Sequence, residues 1–185
     1  MIEKLIKESL ELLRNLIRTQ SFSKEEDKTA NLIAEFLEER GVRIHRKMNN
    51  VWTYNQHFDP AKPTVLLNSH HDTVKPNSGY SRDPYDAAIE DDKLFGLGSN
   101  DAGGCLVSLI GTFLYFYTQK DLKYNICLAA TAEEEISGND GLELVLPDLG
   151  DLEFAIVGEP TEMNLAIAER GLLVIDCIVH GKAGH

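Results

Sequence analysis

Apolar positions in the first forty residues recur at helical spacing. Ile2, Leu5, Ile6, Leu10, Leu13, Leu16 and Ile17 share one stripe, which predicts an amphipathic helix running to about Arg18. Ser23 and Glu26 have capping-box spacing ahead of Leu32, Ile33, Phe36 and Leu37, so a second helix is predicted, ended by Gly41. Both stripes are expected to be core. Beyond Gly41 the pattern changes to short β-type runs near residues 42–46, 51–54, 64–68, 125–130 and 154–157, with a helix over 105–117 between the third and fourth runs. This alternation predicts an α/β fold, a mostly parallel (mixed) sheet with helices on both faces. A further long β-type run at 171–180 is set apart from it. Residues 1–170 are therefore expected to form one metal-binding catalytic domain and residues 171–185 the start of another.

Thirty acidic against eighteen basic residues give a formal net charge of -12, which argues against nucleic acid or an anionic membrane as a partner. A hydrophobic content of 43% in 185 residues suits a packed domain. Cys105, Cys127 and Cys177 have no paired spacing and are expected to be buried free thiols in a reducing compartment. Met1-Ile2-Glu3-Lys4 carries charge at once and no run approaches membrane-spanning length, so a cytoplasmic protein is expected. His45, His57 and His180 lack an acidic or glycine context and are expected at the surface.

Four segments carry chemistry. Val65 to Asp72 is an apolar run that ends in Asn68-Ser69-His70-His71-Asp72, which alone reads equally well as a solvated turn. Asp101 follows Gly96 and Gly98 and precedes Gly103-Gly104. The spacing fits no phosphate-binding fingerprint, and in isolation the aspartate reads as a helix cap. Glu133, Glu134 and Glu135 follow the apolar run 126–132 with no basic neighbour, a pattern that also suits a solvated helix start. Glu159 follows the run 154–157 in Gly158-Glu159-Pro160-Thr161. In an open parallel sheet the carboxyl ends of the strands gather the ligands, so acids recurring at several such ends point to one site. Clustered carboxylates with a histidine supply metal ligands, and a further glutamate supplies proton transfer, which is what metal-assisted amide hydrolysis requires.

In order and spacing, His70-x-Asp72, Gly98-Ser99-Asn100-Asp101 with Gly103-Gly104, Thr131 to Glu135 and Gly158 to Thr161 resemble the co-catalytic zinc exopeptidase and deacylase family. That family includes acetylornithine deacetylase, succinyl-diaminopimelate desuccinylase and the glutamate carboxypeptidases. The resemblance spans nearly the whole chain. It implies two zinc ions, with cobalt as a possible substitute. His70 and Glu159 would hold the first, Glu135 the second, and Asp101 would bridge both. It also implies Glu134 as general base and Asp72 as the residue that orients His70. His71 falls at a variable position and is not counted as a ligand. His185 matches a lid-domain histidine that reaches the partner subunit's site and polarises the substrate carbonyl, so a homodimer is implied. The implied reaction is hydrolysis of a small-molecule N-acyl amino acid, with the run 68–76 most similar to the acetylornithine deacetylase branch and an N-succinyl substrate next. A di- or tripeptidase would use the same residues, and a non-catalytic relative would be free to lose them.

The chain departs from the pattern twice. Gly103 stands where many relatives carry lysine, which removes a positive charge without removing a ligand. The family's last zinc ligand is a histidine near the C-terminus of a chain roughly twice this length, and no residue of this chain matches it. The sequence is accordingly expected to be one piece of a longer protein, with residues 171–185 opening a lid and dimerisation domain.

Overall fold

The first apolar stripe folds as helix α1, Ile2–Ile17. The computed structural model describes residues 2–168, Gly171, Ile175, 177–182 and Gly184. The stripe is core only over its second half. Leu12, Leu13, Leu16 and Ile17 are buried, whereas Ile2 and Ile6 are 57% and 62% exposed. Helix α2, Asp27–Glu38, buries Ile33 and Leu37 against α1 and the sheet.

The expected capping box does not form. Glu26 occupies the cap position but makes no side-chain cap bond. Its carboxylate is drawn into a buried polar cluster, and Ser23 Oγ donates instead to Asp72 Oδ2 at 2.7 Å. The Asp72 carboxylate offers the Ser23 hydroxyl a stronger bond than a helix amide does, and the Glu26 carboxylate accepts from three donors where a cap would supply one. Past α2, Gly41 adopts φ 73°, the left-handed conformation that glycine tolerates, and donates to the Glu38 carbonyl. Val42 donates to the Leu37 carbonyl and is buried. The turn therefore consumes the start of the predicted strand, and β1 is His45–Lys47 rather than 42–46.

The remaining strands of the main sheet are β2, Asn50–Tyr54, β3, Thr64–His70, β6, Asn125–Thr131, and β7, Leu152–Val157. A two-stranded hairpin, β4, Ile89–Glu90, and β5, Lys93–Leu94, lies apart. The five-stranded order is β1-β2-β6-β3-β7. β3 runs parallel to both β6 and β7, and the β1–β2 hairpin adds antiparallel strands on the β6 side. The sheet is thus mixed, as expected. Every residue of β3 is buried, consistent with its lack of apolar–polar alternation.

One face carries α1, α2 and α3, Cys105–Phe116. Leu106, Ile110 and Phe113 of α3 meet Val65, Leu67 and Leu128 there. Phe113 is fully buried, and its truncation to alanine would cost about 3–5 kcal/mol. The other face is covered by less. Trp52, Leu66, Cys127 and Ala129 pack under Val145 of the short helix α4, Leu142–Val145, and under Leu149. β7, the apolar run 154–157 of the sequence, lies at the sheet edge, with Phe154 and Ile156 about half exposed. The thiols also differ from one another: Cys127 is buried, Cys105 intermediate and Cys177 exposed. His45, His57 and His180 are exposed, and His45 stacks on Trp52. In the 171–180 run the described residues carry no strand, and the others, with His185, lie outside the described residues. Among the described residues no helix is long and apolar enough to cross a membrane.

Candidate active site

Parallel pairing of β3 with β6 and β7 brings three chemistry-bearing segments to one edge of the sheet. His70 pairs with Thr131, three residues before Glu134. Asn68 pairs with Val157 and accepts the Gly158 amide, while Ser69 Oγ donates to the Gly158 carbonyl at 2.8 Å, which fixes the backbone next to Glu159. Gly158 makes this approach close, since a Cβ there would sit 2.9 Å from Leu109 Cδ1 and 3.1 Å from Cys105 Cβ. Asp101 arrives from a wide turn, Ser99–Gly104, that leads into α3. It does not cap that helix, whose cap position is Gly104, so its carboxylate is left to face the site.

His70 is the centre of the arrangement and is almost fully buried. Its Nδ1 lies 3.0 Å from the Asp72 carbonyl and 3.3 Å from Asp72 Oδ1. Both atoms only accept, so Nδ1 keeps a proton, and it is Nε2 that presents a lone pair once the ring gives up its second proton. Nε2 faces Asp101 Oδ1 at 3.2 Å, with Glu134 Oε2 and Glu159 Oε1 each at 3.8 Å. One donor atom from each of His70, Asp101 and Glu159 falls within 4.8 Å of the others. Glu135 is not within that triad. Its carboxyl is raised by burial and by the charge of Asp101.

The electrostatics of the cluster suit a cation. Burial raises the Glu159 carboxyl, and the charges of Glu134, Asp101 and Glu135 add to it against the opposing pull of His70, so that it reaches about 7. Burial works against a charged His70, but the Asp72 hydrogen bond and the charges of Asp72, Glu159 and Glu134 outweigh it and raise the ring to about 9. Without a metal these groups hold protons that a divalent ion would displace. A nitrogen and several hard oxygens form a donor set that zinc accepts.

Asp72 sits beneath the cluster, fully buried, and accepts from Ser23 Oγ, the Glu134 amide at 3.1 Å and the Glu135 amide at 3.2 Å. Burial works to raise it, yet the His70 and Ser23 hydrogen bonds outweigh this and hold its carboxyl below the ordinary value. His71 points away from the triad. Its Nε2 donates to the Asn49 carbonyl, its Nδ1 meets Thr29 Oγ1, and burial lowers its pKa. Ser23 and Glu26, which touch this machinery from α2's leading loop, are hidden in the sequence by their capping-box spacing.

The model of peptidase family M20/M25/M40 matches residues 66–170, more than half of the chain. The chain belongs to that family. Its matched region contains His70, Asp72, Asp101, Glu134, Glu135 and Glu159. Among curated relatives, it is 31% identical to a succinyl-diaminopimelate desuccinylase of Gluconobacter oxydans over 94% of this chain and 49% of that one. It is 30% identical to an acetylornithine deacetylase of Proteus mirabilis over 95% of this chain and 48% of that one. The chain thus spans about half the length of the curated relatives it matches. Among solved structures, the M20 family metallo-carboxypeptidase of Sulfolobus solfataricus superposes with a TM-score of 0.65 at 25% identity, covering 81% of this chain and 37% of that one.

Proposed function

We propose that this chain forms the metal-binding part of a hydrolase that cleaves the amide bond of small N-acyl amino acids. The observation that carries the proposal is the approach of His70, Asp101 and Glu159 donors to within 4.8 Å at the strand ends. In this reading His70 and Glu159 would hold one divalent ion and Glu135 a second, with Asp101 a ligand available to both. Zinc is the proposed metal, with cobalt as a substitute. When bound, the pair supplies Lewis-acid polarisation of the scissile carbonyl and water acidified toward neutral pH.

The protein's own residues do the rest. Asp72 fixes the His70 tautomer, so that Nε2 is the nitrogen freed when the ring loses its second proton. Glu134, exposed enough to meet substrate and 3.8 Å from His70 Nε2, takes the proton from the attacking water. It then delivers that proton to the leaving amine, giving a carboxylate and a free amino acid. His185, in a homodimer, polarises the substrate carbonyl of the neighbouring subunit's site. Residues 1–170 make up the catalytic domain and 171–185 open the lid. A reducing, cytoplasmic setting accords with three free cysteines.

N-Acetylornithine is the proposed substrate. The identity to a desuccinylase supports an N-succinyl amino acid as a second reading. The test is hydrolysis by the gene product that carries this chain, presented with N-acetylornithine, N-succinyl-diaminopimelate and a dipeptide panel after zinc loading. Zinc-dependent release of acetate from N-acetylornithine is the expected result. Succinate release would select the second reading, and cleavage of dipeptides alone would reject both.

A further inference from the structure

The buried carboxylate of Glu26 has no part in the proposed chemistry, yet it lies directly behind the acidic turn. Glu26 is fully buried. Its Oε1 accepts the Lys24 amide at 2.7 Å and the Glu133 amide at 3.2 Å, and its Oε2 accepts Asn49 Nδ2 at 2.9 Å. Three segments far apart in sequence are thereby tied to one side chain. The tie closes on itself, because the Asn49 carbonyl accepts from His71 Nε2 and His71 Nδ1 meets Thr29 Oγ1, which is 3.0 Å from the Glu26 carbonyl.

Glu133 is the critical contact. It adopts φ 56°, a left-handed conformation uncommon for a residue with a side chain. The next two amides, of Glu134 and Glu135, are accepted by Asp72. Three consecutive amides thus point down onto two buried carboxylates from different parts of the chain. The Glu134 side chain is thereby free to leave toward His70. Asp72 holds nothing before Glu134, and Asn50 Oδ1 accepts the Ala132 amide at 3.0 Å, so the Glu133 amide between them is held by Glu26.

We propose that Glu26 is a positioning residue that sets the Glu133–Glu135 turn and hence where the Glu134 and Glu135 carboxylates stand. The part of this that concerns catalysis rests on the proposed roles of those two residues as base and metal ligand. Glu26 touches neither substrate nor metal and acts through the Glu133 amide.

The test compares wild type, Glu26→Gln, and Glu26→Gln combined with Asn49→Asp, in the gene product that carries this chain. Glu26→Gln keeps the shape and leaves an oxygen for the two amides, but removes the charge that strengthens those bonds and obliges Asn49 to turn its own oxygen toward the new amide. Asn49→Asp returns a carboxylate to that contact. In Glu26→Gln the Glu133 amide hydrogen should exchange faster, and kcat per folded molecule should fall about 10- to 100-fold, the range seen when a supporting partner of a site is removed. KM should change little, because substrate contacts remain. The double variant should recover most of both quantities. Unchanged exchange at Glu133 overturns the proposal, as does activity lost only in proportion to the unfolded fraction. If wild type hydrolyses none of the substrates, the proposed function fails, while the exchange measurement still decides the role of Glu26.

Discussion

The Asp72 carboxylate accepts the Glu134 amide at 3.1 Å through Oδ1, the same oxygen that lies 3.3 Å from His70 Nδ1. One buried atom therefore couples the orientation of the histidine to the backbone that carries the neighbouring acid. A carboxylate accepting several such bonds acts as a fixed point for both strands, β3 through His70 and β6 through the turn that follows it.

Replacing Asp72 with alanine should consequently damage both partners at once. Metal affinity should fall about 10- to 100-fold because the His70 tautomer is no longer fixed. The part-buried donors of Ser23, Glu134 and Glu135 would lose their acceptor, at a cost of about 1–3 kcal/mol for any that water cannot reach. Metal titration and a thermal melt on the same samples measure the two effects. An Asp72→Ala protein with unchanged metal affinity would mean that Nδ1 is held adequately by the Asp72 carbonyl alone.

Glu134 and Glu135 are adjacent but are expected to fail differently. Glu134→Ala should lower kcat by about 10²–10⁴-fold with metal content nearly unchanged, since proton transfer is lost and coordination is not. Glu135→Ala should lose metal. Elemental analysis of both variants beside their kcat values separates the roles. Equal metal loss would exchange or merge them, an outcome to which the 3.8 Å approach of Glu134 to His70 gives physical content.

The elements with strong periodicity are legible in the sequence. The stripes of α1 and α2 and the apolar runs of β3 and β6 fold close to where their patterns put them. The convergence of His70 and Glu159 is legible too, because parallel strands bring their carboxyl ends to one side of the sheet. Local pattern fails where tertiary chemistry overrides it. Ser23 and Glu26 have capping spacing, but a buried carboxylate and the amides of a distant turn compete more strongly for them. Ile2 and Ile6 share the core stripe of α1 and remain exposed, because a helical period identifies a face but does not say how far a covering element extends. The glycine-rich surroundings of Asp101 do not place it, since its direction depends on Ser99–Gly104 departing from regular helix.

Raised pKa values fix the sign of the pH dependence. His70 rises from about 6.5 to about 9 and Glu159 from about 4.5 to about 7 in the metal-free fold. In both cases the folded state binds a proton that the unfolded state has released, so stability falls as pH rises across each interval. The Glu159 contribution is lost between about pH 4.5 and 7, and that of His70 between about pH 6.5 and 9. The chelated protein should therefore melt at progressively lower temperature over that range. Zinc must displace the same protons, so its apparent affinity should climb with pH until about 9. Melts with chelator and zinc titrations at several pH values test this, and a metal affinity independent of pH would show that neither proton is held.

Gly103 provides the last test, because it lies in the turn that presents Asp101. A Cβ at this position would lie 2.5 Å from the Gly98 carbonyl oxygen and 2.7 Å from Leu13 Cδ1. The first of these is backbone, held by the Gly103 amide donating to that same carbonyl at 2.9 Å, so it cannot step aside without opening the turn that presents Asp101. Gly103→Lys is thus expected to destabilise the fold, by about 1–3 kcal/mol as in other overpacked sites, and not to supply a useful charge. Gly103→Ala should carry most of the same penalty, since the clash begins at Cβ. Denaturant melts of the two variants settle the point. If lysine were tolerated with unchanged stability and metal binding, the Ser99–Gly104 turn would have to be loose enough to rearrange, and it could not then be what aims the Asp101 carboxylate at His70.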